Sequence, residues 1–126
     1  MVLKSDQLLI RNTLISDSAF YFKLFNDPDW ITFIGNKNLK SEIDTKMYLK
    51  GIIFKNSKLG ELGFFTIILK ETNKLIGTSK ALQRDRLDFI DIGYALKIMG
   101  KGYATEATEL IMEYVCKKIK QKRYWH

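Results

Sequence analysis

Apolar and polar residues first alternate and then recur every three or four positions, and this rhythm outlines most of the elements of the chain. Residues 7–13, QLLIRNT, are a short apolar run between polar neighbours and predict a strand. Ser16 or Asp17 then caps a helix carrying Phe20, Leu24 and Phe25 along one side. It ends near Asn26, because Pro28 disfavours helical geometry at Asp27. A second, longer helix begins at Ser41, where Asp44 completes a capping-box pattern; Ile43, Met47 and Phe54 recur at helical spacing to about Lys58, with Gly60 as the stop.

Beyond Gly60 the period shortens to two. GFFTIILK (63–70), the turn ETNK (71–74) and LIGTSKALQ (75–83) predict a β-hairpin, and Gly77 marks a bulge or a close backbone approach. A polar turn, RDRLD, leads to a further strand, FIDIGYAL (89–96), so that three antiparallel strands form a meander. The last element is a helix whose Ala104, Ala107, Ile111, Tyr114, Val115 and Ile119 share one face and pack on the sheet. The expected order is strand, two helices, three strands, helix.

Length and composition narrow this further. A chain of 126 residues, 46% hydrophobic and 13% aromatic, has enough apolar side chain for one core. With one proline, no repeat and no low-complexity segment, a single domain over residues 1–126 is expected. No stretch reaches the roughly 18 uncharged apolar residues of a membrane span, and the amino terminus lacks a signal-peptide pattern; no membrane partner and a cytoplasmic address follow as expectations. The single cysteine, Cys116, reads as a half-buried structural thiol, and one cysteine with one histidine does not make a metal site.

The net charge of +7 raises the question of nucleic acid, and its distribution answers most of it. Residues 1–116 hold 16 Lys and Arg against 14 Asp and Glu, while KKIKQKRYWH (117–126) holds five cations and no acid. Cations at the end of a helix face the negative end of its dipole, which explains the cluster without a partner. A polyanion-binding patch is the other reading, since Tyr124 and Trp125 offer stacking faces.

The chemistry concentrates at IMGKGYATEA (98–107), two glycines and a lysine between a strand and a helix. The first amides of a helix lack internal partners and the dipole there is positive, so a loop that wraps an anion at that point becomes a phosphate site. Gly100 and Gly102 permit the close approach and the positive φ that wrapping needs. Lys101 and the amides from Gly100 to Thr105 then converge on a diphosphate; a turn that binds nothing is the plain alternative. The spacing is not that of a P-loop, because Gly follows Lys101 where Ser or Thr is required. It is not a dinucleotide fingerprint either, because only 24 residues remain after Gly102.

IGYAL followed by GKGYATEA resembles the acyl-coenzyme A segment of the GNAT acetyltransferases, in the branch similar to the ribosomal-protein N-terminal acetyltransferases. LLIRN resembles that branch's opening strand, NDPDWITFIG its first helix-to-loop stretch, and LKETNKLIGTSKAL its central hairpin, so the likeness runs along nearly the whole chain. The resemblance implies an α/β (α+β) fold with a mixed, mostly antiparallel central sheet and helices on both faces. The resemblance also implies further elements beyond the last helix, of which QKRYWH is at most the beginning of a strand; a sheet cut there exposes an edge, so either a truncated product or a homodimer in which a neighbouring chain covers that edge is expected.

By the same resemblance the cofactor segment is about 89–119. The backbone of Tyr94, Ala95 and Leu96 pairs with the pantetheine arm of acetyl-CoA, and Gly100, Lys101, Gly102, Tyr103, Ala104 and Thr105 cradle its diphosphate. Met99 stands where relatives carry Gln, Arg or Trp and offers no donor. The implied reaction is direct acetyl transfer to a primary amine, whether a protein N-terminus, an amino sugar or a polyamine. Asp91 is the candidate base and Tyr94 the candidate acid for the leaving thiolate, with Tyr103 a second tyrosine of the right type. Glu42, Asp44 and Glu61 are too few to make a diagnostic acidic acceptor wall. Two other classes remain open: a catalytically inactive coenzyme A binder, and a small basic nucleic-acid-binding protein.

Overall fold

Five strands hydrogen-bond in chain order into one antiparallel sheet in the computed structural model, which describes residues 2–28, 38–58, 64–83, 90–97 and 102–124. The elements are β1 (Val2–Lys4), β2 (Leu8–Asn12), a 3-10 turn (Ile15–Asp17), α1 (Ser18–Phe25), α2 (Glu42–Lys58), β3 (Phe64–Leu69), β4 (Lys74–Gln83), β5 (Ile90–Leu96) and α3 (Tyr103–Tyr124). The meander, both inserted helices and the last helix fall where the residue pattern puts them. β1 is additional. It is three residues long and takes its ladder from β2, in the register Val2↔Arg11 to Lys4↔Leu9, so it needs no strong pattern of its own.

The sheet divides the core in two. Leu8, Ile10, Phe65, Ile67, Ile76 and Leu96 point to one face and are covered by Tyr103, Ala107, Ile111 and Val115 of α3. On the other face Tyr21, Leu24 and Phe25 of α1 pack with Leu39 and with Leu49 of α2. Helices therefore lie on both faces of a mostly antiparallel sheet, as expected.

In the central hairpin the register shifts between Ile67 and Ile68, leaving Ile76 as the extra residue of a bulge in β4. Gly77 sits beside it, opposite Leu96 of β5. A Cβ at Gly77 would run into the carbonyl oxygen of Ala95 and lie 2.7 Å from Leu96 Cδ2, so the bulge and the close approach are one feature. Asn73, at φ 58°, takes the left-handed position of the preceding turn, which asparagine tolerates.

Four expectations are corrected. Asp17 does not cap α1 through its side chain: its carboxylate turns back to Arg11, the Leu14 N–H and Thr66. Ser41 does cap α2, its Oγ accepting the Asp44 N–H at 3.1 Å, but Ile43, Met47 and Phe54 are 72%, 65% and 60% exposed. The helix docks on α1 through Thr45, Tyr48 and Leu49 instead, so the apolar positions that revealed the helix do not mark its buried side. Cys116 is exposed rather than half-buried, because it falls about 180° round α3 from Ala107. Residues 121–124 continue α3 instead of opening a strand; nothing there breaks the helix, and Lys and Arg suit a carboxyl-terminal turn. Gly60, the expected stop of α2, lies outside the described residues.

Candidate active site

β5 pairs with β4 alone among the described strands, with Tyr94, Ala95 and Leu96 opposite Ser79, Thr78 and Gly77. Among the described residues no strand pairs with the other edge of β5, which leaves alternate backbone N–H and C=O groups of Tyr94–Leu96 without a ladder partner there. Ala95 and Leu96 are buried, whereas Tyr94 is 49% exposed. The Lys97 N–H donates to Ile76 O at 2.7 Å, which ties the end of β5 to the bulge.

Gly102 has φ +72°, and nothing lies within 4 Å of where its Cβ would be. The left-handed backbone that the sequence reading requires is present, beside open space. α3 starts at the next residue. The Glu106 N–H closes its first turn on Gly102 O at 3.0 Å, while the amides of Tyr103, Ala104 and Thr105 have no acceptor within the helix. Thr105 is exposed and Ala104 half-buried. Tyr103 is buried in the α3 core, which removes its phenol as a candidate acid; what it offers at the corner is its backbone.

Among the remaining predicted residues, the structure brings Asp91 into β5 opposite Leu82, and its side chain is outside the described part. Met99, Gly100 and Lys101 also lie outside it.

Two features of this corner have no local sequence signal. Glu106 Oε2 accepts the backbone N–H of Gln7 at 3.2 Å, and Glu106 Oε1 the Gln7 side-chain amide at 3.5 Å, so the start of α3 is clipped to the turn between β1 and β2. That turns the one carboxylate of the first turn toward Gln7. Ser79, next to Tyr94 across the ladder, is 1% exposed, and its hydroxyl makes no hydrogen bond.

Behind β4 and β5, on the α1 face, lies a buried polar cluster. Tyr21 Oη donates to Thr78 Oγ1 at 3.0 Å and lies 2.9 Å from Thr66 Oγ1 and 3.1 Å from Thr13 Oγ1. Thr78 Oγ1 in turn donates to Phe65 O at 3.0 Å. Asp17 accepts both Arg11 guanidinium nitrogens at 2.8 Å, the Leu14 N–H at 2.9 Å and the Thr66 hydroxyl at 3.1 Å. Burial alone pushes the Asp17 carboxyl up, but the hydrogen bonds from Arg11, Leu14 and Thr66 and the Arg11 charge outweigh it and hold the carboxyl below its ordinary value. Burial pushes the Tyr21 phenol up. Thr78 is the ladder partner of Ala95, so this cluster fixes the strand on which β5 is registered.

Comparison with known proteins agrees with this geometry. The family model described as "Acetyltransferase (GNAT) domain" matches residues 7–125. An uncharacterized N-acetyltransferase, p20, of Bacillus licheniformis is 28% identical over 115 residues, 89% of this chain and 64% of that relative; the chain spans less than two thirds of its length. Among solved structures, a GNAT-family acetyltransferase from Bacillus anthracis superposes with a TM-score of 0.77 at 25% identity, covering 95% of this chain and 69% of that one. A ribosomal L7/L12 α-N-protein acetyltransferase in complex with coenzyme A superposes with a TM-score of 0.76 at 17% identity, covering 90% and 67%, a likeness of fold. With the meander, the bulge opposite Leu96 and the glycine corner running into α3 in the expected order, the chain belongs to the GNAT acetyltransferase family.

Proposed function

We propose that this chain binds acetyl-CoA along β5 and at the amino terminus of α3 and transfers the acetyl group directly to a primary amine. Family membership supports acetyl transfer, and one fold neighbour is an L7/L12 acetyltransferase with coenzyme A bound. The observation that carries the reading for this chain is Gly102, held at positive φ beside open space at the start of a helix whose first amides have no acceptor within the helix. The residues fit a diphosphate: Gly102, Tyr103, Ala104 and Thr105 give backbone donors, and Gly100 and Lys101 complete the loop.

When bound, the coenzyme supplies the acetyl group as a thioester. The outer backbone edge of Tyr94, Ala95 and Leu96, unpaired among the described strands, serves as a strand edge for the amides of the pantetheine arm, and Met99 is assigned to the same coenzyme segment. The amine forms the new C–N bond as the C–S bond breaks. Asp91 takes the amine proton, and Tyr94, half-exposed at the edge, gives a proton to the departing sulfur. The acceptor is a small-molecule amine or a protein N-terminus, in the cytoplasm. A second chain covering the part of the sheet edge that the coenzyme leaves open makes the working form a homodimer. Light scattering checks this last point: a well-behaved monomer of 14.7 kDa contradicts it.

Thermal melting with and without acetyl-CoA tests the site. The ligand is expected to raise the transition, and Gly102→Glu, which sets a carboxylate where the diphosphate belongs, is expected to abolish the shift. Absence of a shift at millimolar ligand overturns the coenzyme reading. Thiol release over a panel of amines separates an active enzyme from an inert coenzyme binder.

A further inference from the structure

A cleft lies on the α1 face. Its volume is about 700 Å³, within the range of small-molecule sites. Phe20 and Leu75, both half-buried, form an apolar floor, and Lys23, Lys74 and Lys97 line it from three different elements: α1, the first residue of β4, and the residue that follows β5. The floor is held in place. Phe20 meets Tyr21 edge-on at 5.3 Å between ring centroids, and the Lys97 N–H is fixed to Ile76 O.

The charges converge without compensation. None of the three lysine side chains makes an ion pair or a hydrogen bond among the described residues. The one acid in the wall, Asp17, already accepts two bonds from Arg11, one from the Leu14 amide and one from Thr66, so it does not neutralise them. Ser16, exposed at the rim, adds a hydroxyl. Three cations around an apolar, partly aromatic floor match a ligand that joins a flat ring to phosphate: the ring covers Phe20 and Leu75, and the phosphate oxygens take the lysine donors.

We infer that this cleft is a binding site for a nucleoside phosphate. The inference does not depend on the coenzyme reading, since it uses none of the residues from Tyr94 to Leu96 or from Gly102 to Thr105. The occupant is a nucleotide or nucleotide-linked molecule separate from the coenzyme.

The test is titration calorimetry of the 126-residue chain with adenosine 3′,5′-bisphosphate, with adenosine as the uncharged control. The bisphosphate is expected to bind at least tenfold more tightly than adenosine, with an affinity that falls as salt rises. The double variant Lys23→Ala with Lys74→Ala is expected to lower bisphosphate affinity about tenfold and leave adenosine unchanged, as is the single charge reversal Lys74→Glu. Both lysines are exposed, so unchanged melting temperatures certify folding. Equal binding of bisphosphate and adenosine, or bisphosphate binding that survives both variants, overturns the inference. Competition completes the test: simultaneous binding of coenzyme A and the bisphosphate supports a separate site, and displacement of the bisphosphate by coenzyme A overturns it. Gly102→Glu, which leaves this cleft untouched, reports on the coenzyme reading alone.

Discussion

The two faces of the sheet are built on different principles. On the α3 face the core that the helix covers is built of apolar sheet side chains: Leu8, Ile10, Phe65, Ile67, Ile76 and Leu96. On the α1 face the helix is joined to the sheet through a phenol, three threonine hydroxyls and a carboxylate paired with Arg11, linked in one hydrogen-bonded network. Apolar contact is non-directional and scales with area, so it holds α3 down without dictating each atom's place. Buried hydrogen bonds are directional and costly to leave unmade, so they fix where α1 sits over β3 and β4. The consequence is a division of labour. One face supplies adhesion for the helix that begins the candidate site; the other supplies the registration of the strands that end there.

Truncation should hurt most on the α3 face. Ile111→Ala removes a side chain that is 1% exposed and is expected to cost about 4 kcal/mol, seen as a lower denaturant midpoint with an unchanged slope. Ile111→Leu, which keeps the volume, should stay below about 1.5 kcal/mol. If the two substitutions cost the same, the α3 face is not held by packing and the contrast fails.

The α1 face responds to chemistry rather than size. Asp17→Asn, nearly isosteric, weakens the bidentate bond to Arg11 and is expected to cost about 3 kcal/mol at neutral pH. It should also flatten the acid side of the stability profile. The Asp17 carboxyl is held low in the folded protein, so its contribution is complete above the unfolded-state value of about 3.9 and disappears as pH falls through the lower folded value. The Tyr21 phenol runs the other way: its folded value is raised, so stability is intact below about pH 10 and declines as pH rises beyond. Urea midpoints from pH 2 to 11 on the parent and on Asp17→Asn check the acid limb. An unaltered acid limb in the variant would remove Asp17 from the account.

Tyr21→Phe keeps the ring and deletes one oxygen, leaving Thr13, Thr66 and Thr78 short of a partner; about 2 kcal/mol is expected. The smallest effect belongs to the pair Glu113 and Lys117, 3.3 Å apart on the outside of α3 and both well exposed. Glu113→Gln should change stability by no more than about 0.5 kcal/mol, and less in high salt.

The same contrast explains what was legible beforehand. The buried side of α3, the bulge at Gly77 and the left-handed backbone at Gly102 follow from residues a few positions apart, where geometry constrains the residue directly. The family likeness was carried by such local segments too. Tyr21 carries no local signal, because its partners Thr66 and Thr78 come from β3 and β4. Periodicity located α2 but not its buried side, because α2 packs on another helix through Thr45, Tyr48 and Leu49, a surface no richer in apolar residues than the one left outside. The lysine cleft joins residues 23, 74 and 97, and nothing in one dimension announces that they meet.

The clip between Gln7 and Glu106 has a temporal consequence. During synthesis the Gln7 amide leaves the ribosome 99 residues before the carboxylate that accepts it. β1, β2 and the hairpin can assemble on the emerging chain, but the corner at Gly102 waits for Glu106 to anchor it. The segment proposed to hold the coenzyme is thus fastened only after the strands it serves, and until then the sheet stands without its workplace.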